Sequence, residues 1–164
     1  MNVTNTHYLA WLRDAHAMEG QALTMLTTMA ERLDGYPELQ AKVRAHAAES
    51  ERHQAALDML LRRNATDSSV MKDAMAKVMA MGQAMSGMFA TDEVVKGAMA
   101  GYTFEHMEIA AYKALIAAAK VVGDIEAVPI YEGILADEEN MSDFLLEHMD
   151  DTIARFLRQS EAGV

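Results

Sequence analysis

Met107-Glu108-Ile109-Ala110-Ala111-Tyr112-Lys113-Ala114-Leu115 follows, 89 residues on, the pattern of Met18-Glu19-Gly20-Gln21-Ala22-Leu23-Thr24-Met25-Leu26. Methionine, glutamate, alanine and leucine recur at matching places. Each of these glutamates is followed 30 residues later by another, Glu49 and Glu138. The flanks of the second pair agree as well, Ala47 with Ala136 and Leu57 with Leu146. The turn residues Asp34-Gly35 fall opposite Gly123-Asp124. All four glutamates sit in stretches rich in alanine, leucine and methionine, which are good helix formers. The chain therefore reads as a duplicated helical hairpin.

The punctuation supports this. A first helix is predicted from Thr4 or Thr6 to Leu33, closed by Asp34-Gly35-Tyr36-Pro37 with Gly35 as C-cap. Pro37 suits the first turn of a second helix, where its missing N–H costs nothing. That helix should reach Arg63 and stop at Asn64-Ala65-Thr66-Asp67-Ser68-Ser69. A short methionine-rich helix is predicted at about 70–88. Thr91-Asp92-Glu93 caps a third long helix ending near Val122, before Gly123-Asp124. Pro129 lies several residues into the last helical stretch and calls for a kink or a late start. The fourth helix should run to Leu157, with Gln159 to Val164 frayed. A helix of about 27 residues is roughly 40 Å long, so parallel second and third helices need a connection that crosses the bundle. The predicted fold is all-α, a single domain over 1–164: a ferritin-like four-helix bundle of two hairpins joined by a long crossover.

Composition narrows the function. The chain has 164 residues and a formal net charge of -11, from 25 acidic and 14 basic residues. That acidity argues against nucleic-acid binding. Cysteine is absent, which rules out disulfides, thiol nucleophiles and thiolate metal sites. The N-terminus has no basic region followed by a long apolar run, so no secretory signal is read there. No uncharged apolar stretch of about 18 residues predicts a membrane span. A cytoplasmic protein is expected.

The chemistry lies in whether the glutamates face inward. An ionised carboxylate in an apolar bundle core is costly unless a cation or donor compensates it. Leu12, Glu19 and Leu26 share a stripe, as do Gly101, Glu108 and Leu115, with Tyr112 one turn on. Glu49 shares a face with Ala45, His46, His53 and Ala56. Glu138 shares one with Tyr131, Ile134, Leu135, Met141 and Leu145. Di-iron bundles usually carry Glu-x-x-His on two helices. Here Glu49 has Arg52 at i+3, with His53 at i+4 and His46 at i-3, and Glu138 has Met141 and Ser142 instead. The candidate metal ligands are Glu19, Glu49, Glu108 and Glu138, with His53 or His46 as nitrogen donor and Glu105 on the Glu108 face. His106 and His16 rank behind them. Glu49 and Glu138 are the bridging candidates, with Tyr112 or Tyr131 as hydrogen-bond donors behind the ligands. Carboxylates with imidazole favour iron, manganese or zinc. Alternatively, these glutamates are rim residues paired with Lys or Arg.

Met71, Met75, Met79, Met81, Met85 and Met88 could bind Cu(I) through thioethers, but read more simply as a flexible apolar face. No glycine-rich phosphate loop or nucleophile elbow is present.

The residues also resemble a family. Glu105-His106-Met107-Glu108-Ile109-Ala110-Ala111-Tyr112 resembles the Glu-His-Tyr-Glu-Ile-Ala-x-Tyr signature of the YciE/YciF proteins, bacterial stress proteins with a ferritin-like fold. Asp14 to Gln21, His46-Ala47-Ala48-Glu49-Ser50 and Leu135-Ala136-Asp137-Glu138 are similar to that family's motifs in the other three helices. The resemblance implies a homodimeric four-helix bundle with a two-metal centre and an association with stress. It does not imply a reaction. The family often has a second acidic residue where Ala48 stands, and its members can place histidine where Glu51 stands.

The expectation is thus a ferritin-like, stress-associated protein with a carboxylate-rich dinuclear site, iron first, then manganese or zinc. Loaded with iron, it would reduce oxygen or peroxide as a di-iron oxidoreductase on an unknown small substrate. The alternative is a non-enzymatic structural or interaction protein with the same fold and no working site, which Ser142, in place of a second histidine, favours. An iron-storage cage has no support in the sequence.

Overall fold

The computed structural model describes residues 3–64 and 92–162. The predicted crossover helix at about 70–88 and the methionine cluster lie outside the described residues. Four long helices account for most of the rest: α1 (Val3–Ala30), α2 (Pro37–Arg63), α3 (Glu93–Val122) and α4 (Val128–Glu147). A fifth, α5 (Met149–Ala162), follows directly.

Each long helix buries one stripe at three- and four-residue spacing. α1 contributes Tyr8, Leu12, Ala15, Glu19, Ala22 and Leu26. α2 contributes Leu39, Val43, His46, Ser50, His53, Leu57 and Leu60. α3 contributes Phe104, Glu105, Glu108, Tyr112, Leu115 and Ala119, and α4 Tyr131, Ile134, Glu138, Met141 and Leu145. These stripes close on one another as a four-helix core, with α1 packed on α2 and α3, and α4 packed on α3 and α2. Such a stripe follows from the 3.6-residue helical period. Alanines between the large residues let the helices approach.

Contacts at the two ends set the directions. Tyr8 near the start of α1 meets Asp124 just after α3, and Arg63 at the end of α2 meets the same carboxylate at 2.6 Å. At the other end Arg32 after α1 meets Glu93 at the start of α3 at 2.8 Å, and His148 after α4 lies 3.5 Å from Glu38 at the start of α2. So α1 runs against α2 and α3, while α2 and α3 run parallel. Asn64 and Asp92 stand at opposite ends of the bundle, as a one-crossover topology requires.

The helix ends differ from the sequence reading in two places, after α1 and after α4, and Pro129 gives the late start expected of it. α1 stops at Ala30, not Leu33, and residues 31–36 form a turn in which the Tyr36 N–H returns to the Leu33 carbonyl at 2.8 Å. Gly35 is therefore not a left-handed cap. Pro129 produces a late start: a 3-10 turn at Ile125–Ala127 precedes α4, and the proline sits in its first turn. The last helix does not run unbroken to Leu157. It stops at Glu147, where the His148 ring stacks on Phe144 with centroids 3.9 Å apart and its Nδ1 lies 2.9 Å from the Phe144 carbonyl. α5 starts afresh with Asp150 and Asp151 in its first turn, where acids suit the helix dipole, and is helical to Ala162, within the stretch expected to fray. Arg155 lies over the Tyr36 ring and the Tyr36 hydroxyl donates to Gln159, so α5 closes that end of the bundle.

Among the described residues, Gly123 is the one glycine with a left-handed conformation. Its φ is +83°, and the Asp124 N–H behind it returns to the Ala119 carbonyl at 2.9 Å. A Cβ there would meet nothing within 4 Å, so its cost is conformational alone. Gly123→Ala should lower stability by about 1–2 kcal/mol, and Gly123→Asn by less, in chemical denaturation. Equal stability of the alanine variant would show that the α3–α4 turn does not need the left-handed cap.

Candidate metal centre

Midway along the bundle the four core stripes become polar. Glu19, His46, Ser50, His53, Glu105, Glu108 and Glu138 are all buried, and Glu19, His46, Ser50, Glu108 and Glu138 have no exposed surface. Two sets of ligand atoms converge here. Glu19, His53 and Glu138 form one; His46, Glu105 and Glu138 form the other. Glu138 belongs to both. Its Oε1 lies 3.0 Å from His53 Nδ1, and its Oε2 lies 3.1 Å from His46 Nε2. One carboxylate thus joins two histidines placed seven residues apart on α2, because His46 points its far nitrogen and His53 its near nitrogen towards it.

The spacings fit cation binding. A cation bonded at about 2.1 Å holds adjacent ligand atoms about 3.0 Å apart in octahedral coordination. His46 Nε2 to Glu105 Oε2 is 3.2 Å and His53 Nδ1 to Glu19 Oε2 is 3.5 Å. The first of these is a hydrogen bond, but the other close approaches at the centre are not. His53 Nδ1, both Glu138 oxygens, Glu19 Oε2 and both Glu108 oxygens are buried without a hydrogen-bond partner. His46 Nε2 is aimed at Glu105, and at Glu138 only by proximity. Each unsatisfied buried polar group costs about 1–3 kcal/mol. Six such atoms together rival the roughly 5–15 kcal/mol by which a whole domain is stable. Cations, protons or water must meet them.

Each histidine is oriented from behind. His46 Nδ1 lies 2.9 Å from Glu49 Oε2, and His53 Nε2 lies 2.9 Å from Asp137 Oδ2. With those nitrogens donating, the lone pairs of His46 Nε2 and His53 Nδ1 face the core. A carboxylate holding the outer nitrogen of a ligating histidine is a recurrent metal-site arrangement. Tyr112 donates its hydroxyl proton to Glu19 Oε1, leaving Oε2 towards His53.

The predicted residues therefore separate. Glu19, His46, His53, Glu105 and Glu138 come together, and Glu108 is buried among the same charges. Glu49 stands at the rim, its side chain 24% exposed, against the outer nitrogen of His46. Tyr112 takes the donor position, whereas Tyr131 bonds Tyr8 at the end of the bundle. His106 is exposed and pairs with the Ser142 hydroxyl at 3.3 Å. The sequence reading missed Asp137 in its role behind His53. The only signal for it was its place next to Glu138, on a surface-facing position of α4.

Electrostatics sharpen the picture for the metal-free protein. Burial pushes the Glu108 carboxyl well above its ordinary range, and the charges of Glu19, Glu138 and Glu105 push it further. Burial likewise raises Glu19, against the opposing effect of His53, and raises Glu105 to about 7, against that of His46. Burial alone would lower His46, but Glu105 and Glu138 outweigh it and raise the imidazole to about 11. For His53, Glu138 and Glu19 outweigh burial and raise it to about 10. The two imidazoliums in turn overcome the effect of burial on Glu138 and bring it down to about 2.

Compared with known proteins, the chain matches over residues 4–158 a family described as "Domain of unknown function (DUF892)". Among solved structures it is similar to a protein of Xanthomonas campestris pv. campestris str. ATCC 33913, at 33% identity over 96% of this chain and 99% of that one, with a TM-score of 0.81. The E. coli stress protein YciF aligns at 18% identity over 94% and 99%, TM-score 0.80. YcfI from Rhodopseudomonas palustris aligns at 20% identity over 88% and 94%, TM-score 0.70. The last two establish the shared fold. Among the described residues no helix is long and apolar enough to cross a membrane.

A pH dependence follows. His46 and His53 bind protons more tightly folded than unfolded, so their contribution is complete below 6.5 and is lost as pH rises through 10 to 11. Glu108 acts in the same direction, since its raised carboxyl also keeps a proton that the unfolded chain releases. Thermal melts in chelator should show stability falling as pH rises above 6.5, and Glu108→Gln, which has no proton to lose, should flatten part of that slope. A stability that climbs with pH over this window would contradict the assignment.

Proposed function

The chain belongs to the family described as "Domain of unknown function (DUF892)", the one whose motifs its sequence resembles, and on that premise we propose that it is a stress-associated metalloprotein with a dinuclear centre in its bundle core. The observation that carries this reading is Glu138, a fully buried carboxylate shared by two separate ligand sets, with neither oxygen hydrogen-bonded. Glu19 and His53 would complete one position, and His46 and Glu105 the other. Glu108, whose two oxygens also lack partners, would serve either. Two imidazoles among carboxylates suit iron, then manganese or zinc, better than magnesium or calcium.

Iron bound there would supply one-electron redox chemistry for the reduction of oxygen or peroxide. The protein's own groups do the rest. Glu49 and Asp137 keep the protons of His46 and His53 on the outer nitrogens, so that the inner lone pairs are free. Tyr112 holds one oxygen of Glu19 and turns the other towards His53. The apolar walls above and below, Leu12, Leu57, Leu115 and Met141, exclude bulk water. Cytoplasmic location and homodimerisation belong to the same proposal. A non-enzymatic stress protein with this fold is the second reading, favoured by Ser142, which is buried where the repeat would put the counterpart of His53.

Metal uptake decides between them. Protein stripped with chelator and titrated with Fe(II), Mn(II) or Zn(II) should approach two ions per chain, and at neutral pH each ion should displace the proton of one histidine, with the Glu108 proton released as well. Glu138→Gln should lose both ions. Asp137→Asn should weaken one position by about 10–100-fold. Calorimetry in buffers of different ionisation enthalpy, with elemental analysis, measures all three. Negligible uptake of every ion would leave the non-enzymatic reading.

A further inference from the structure

Three of the protein's five tyrosines lie in a line of which the metal centre uses only the first, Tyr112. Tyr112, Tyr131 and Tyr8 are all buried, with at most 1% of their surface exposed. Tyr112 donates to Glu19, a member of the first ligand set. Its ring centroid is 6.4 Å from that of Tyr131. The Tyr131 and Tyr8 hydroxyls are 2.8 Å apart, and Tyr8 donates to Asp124 Oδ2 at 2.7 Å. Asp124 is held by Arg63, and these two residues with Tyr8, Thr4, Gly123 and Glu126 line an open cavity of about 850 Å³ at the end of the bundle. The line therefore begins at a ligand and ends at the surface. Tyr8 and Glu19 are 11 residues apart on α1, about 16 Å along the helix axis.

We propose that Tyr112, Tyr131 and Tyr8 form a relay that carries single electrons from a small phenolic reductant in the end cavity to the buried centre. The inference rests on the metal-centre reading. A tyrosine phenol is neutral at about pH 7, so each must release its proton when it gives up an electron. Both ends of the line provide a base at hydrogen-bond distance: Glu19 for Tyr112, and Asp124 for Tyr8. Tyr131 can pass its proton to the Tyr8 oxygen once Tyr8 has lost its own. A role in packing alone would not place a carboxylate on the hydroxyl at each end.

The oxidant is hydrogen peroxide reduced at the iron-loaded centre. Its O–O bond breaks, and two electrons with two protons convert it to two waters. The relay delivers the electrons one at a time. After each transfer a phenol in the cavity gives an electron to the radical on buried Tyr8 and its own proton to solvent, Asp124 returns its proton to the Tyr8 oxygen, and a phenoxyl radical is left in solution. Protons reach the centre from solvent. One peroxide and two phenols thus yield two waters and two phenoxyl radicals.

The test uses the full chain reconstituted with Fe(II), its iron content measured first. Hydrogen peroxide is added, samples are frozen at intervals, and electron paramagnetic resonance is recorded with and without guaiacol. The wild type should give a tyrosyl signal that guaiacol discharges. Tyr131→Phe keeps the ring but has no hydroxyl proton, so its radical should stay on Tyr112 and persist in guaiacol, with guaiacol oxidation down by an order of magnitude or more. Tyr8→Phe should also protect the radical from guaiacol. Tyr36→Phe and Tyr102→Phe lie off the line and should leave the signal unchanged. If iron is bound and peroxide consumed without a tyrosyl signal, or if Tyr131→Phe alters neither signal nor guaiacol oxidation, the relay is wrong and the metal centre stands. If no iron binds, the relay falls, and the metal-centre reading falls with it only where manganese and zinc are refused as well; the metal content shows this before peroxide is added.

Discussion

The structure depends on how negative charge is tolerated at the middle of its own core. Four carboxylates, Glu19, Glu105, Glu108 and Glu138, are buried around two histidines. Without metal, His46 and His53 carry protons and balance part of that charge, while Glu108 stays neutral. Divalent ions bound there would take the place of those protons and leave the carboxylates ionised. A bundle whose interior was sealed by hydrophobic residues alone would be simpler to stabilise, since buried ion pairs seldom improve on apolar packing.

That constraint also explains where the apolar mass lies. Leu12 and Tyr8 on one side of the polar layer, and Leu26, Leu33 and Leu39 on the other, give the bundle two hydrophobic blocks with the centre between them. The ends are held differently. Arg63, Asp124 and Tyr8 tie α2, the α3–α4 turn and α1 together at one end, while α5 closes the other through Tyr36. The stabilising contacts are thus kept away from the middle, where side chains must be free to take up a ligand.

Much of this was legible in the chain. The 89-residue repeat, Pro37 and Gly123-Asp124 gave the four long helices, because helical period and turn chemistry are local properties. The residues brought together at the centre were legible too, as glutamates and histidines on apolar stripes. What the repeat could not reveal was its own asymmetry. It treats Glu49 and Glu138 alike, yet Glu138 is central and Glu49 stands behind His46 at the rim. Which of two equivalent positions is buried depends on the rotation of each helix in the bundle, and that is set by packing against three neighbours. Asp137 was invisible for the same reason: beside Glu138 it reads as a surface acid, and only the placement of α2 brings His53 to it. The break at His148 depends on a side chain competing for a backbone carbonyl, which no periodicity reports.

The asymmetry has a consequence for chemistry. In a symmetric duplicated bundle each half would supply one histidine. Here α2 supplies both and α4 none, with Ser142 turned to His106 instead. Both ligand sets nevertheless contain one nitrogen, because His46 and His53 reach Glu138 from two turns of the same helix. What differs is their surroundings. The His53 set includes Glu19, and through it Tyr112 and the tyrosine line. The His46 set includes Glu105 and borders the partly exposed Glu49. One position thus faces a buried hydroxyl path and the other the rim. Two ions held there would not be equivalent in charge compensation or in access to solvent, an inequality that comes from Tyr112 on one side and Glu49 on the other.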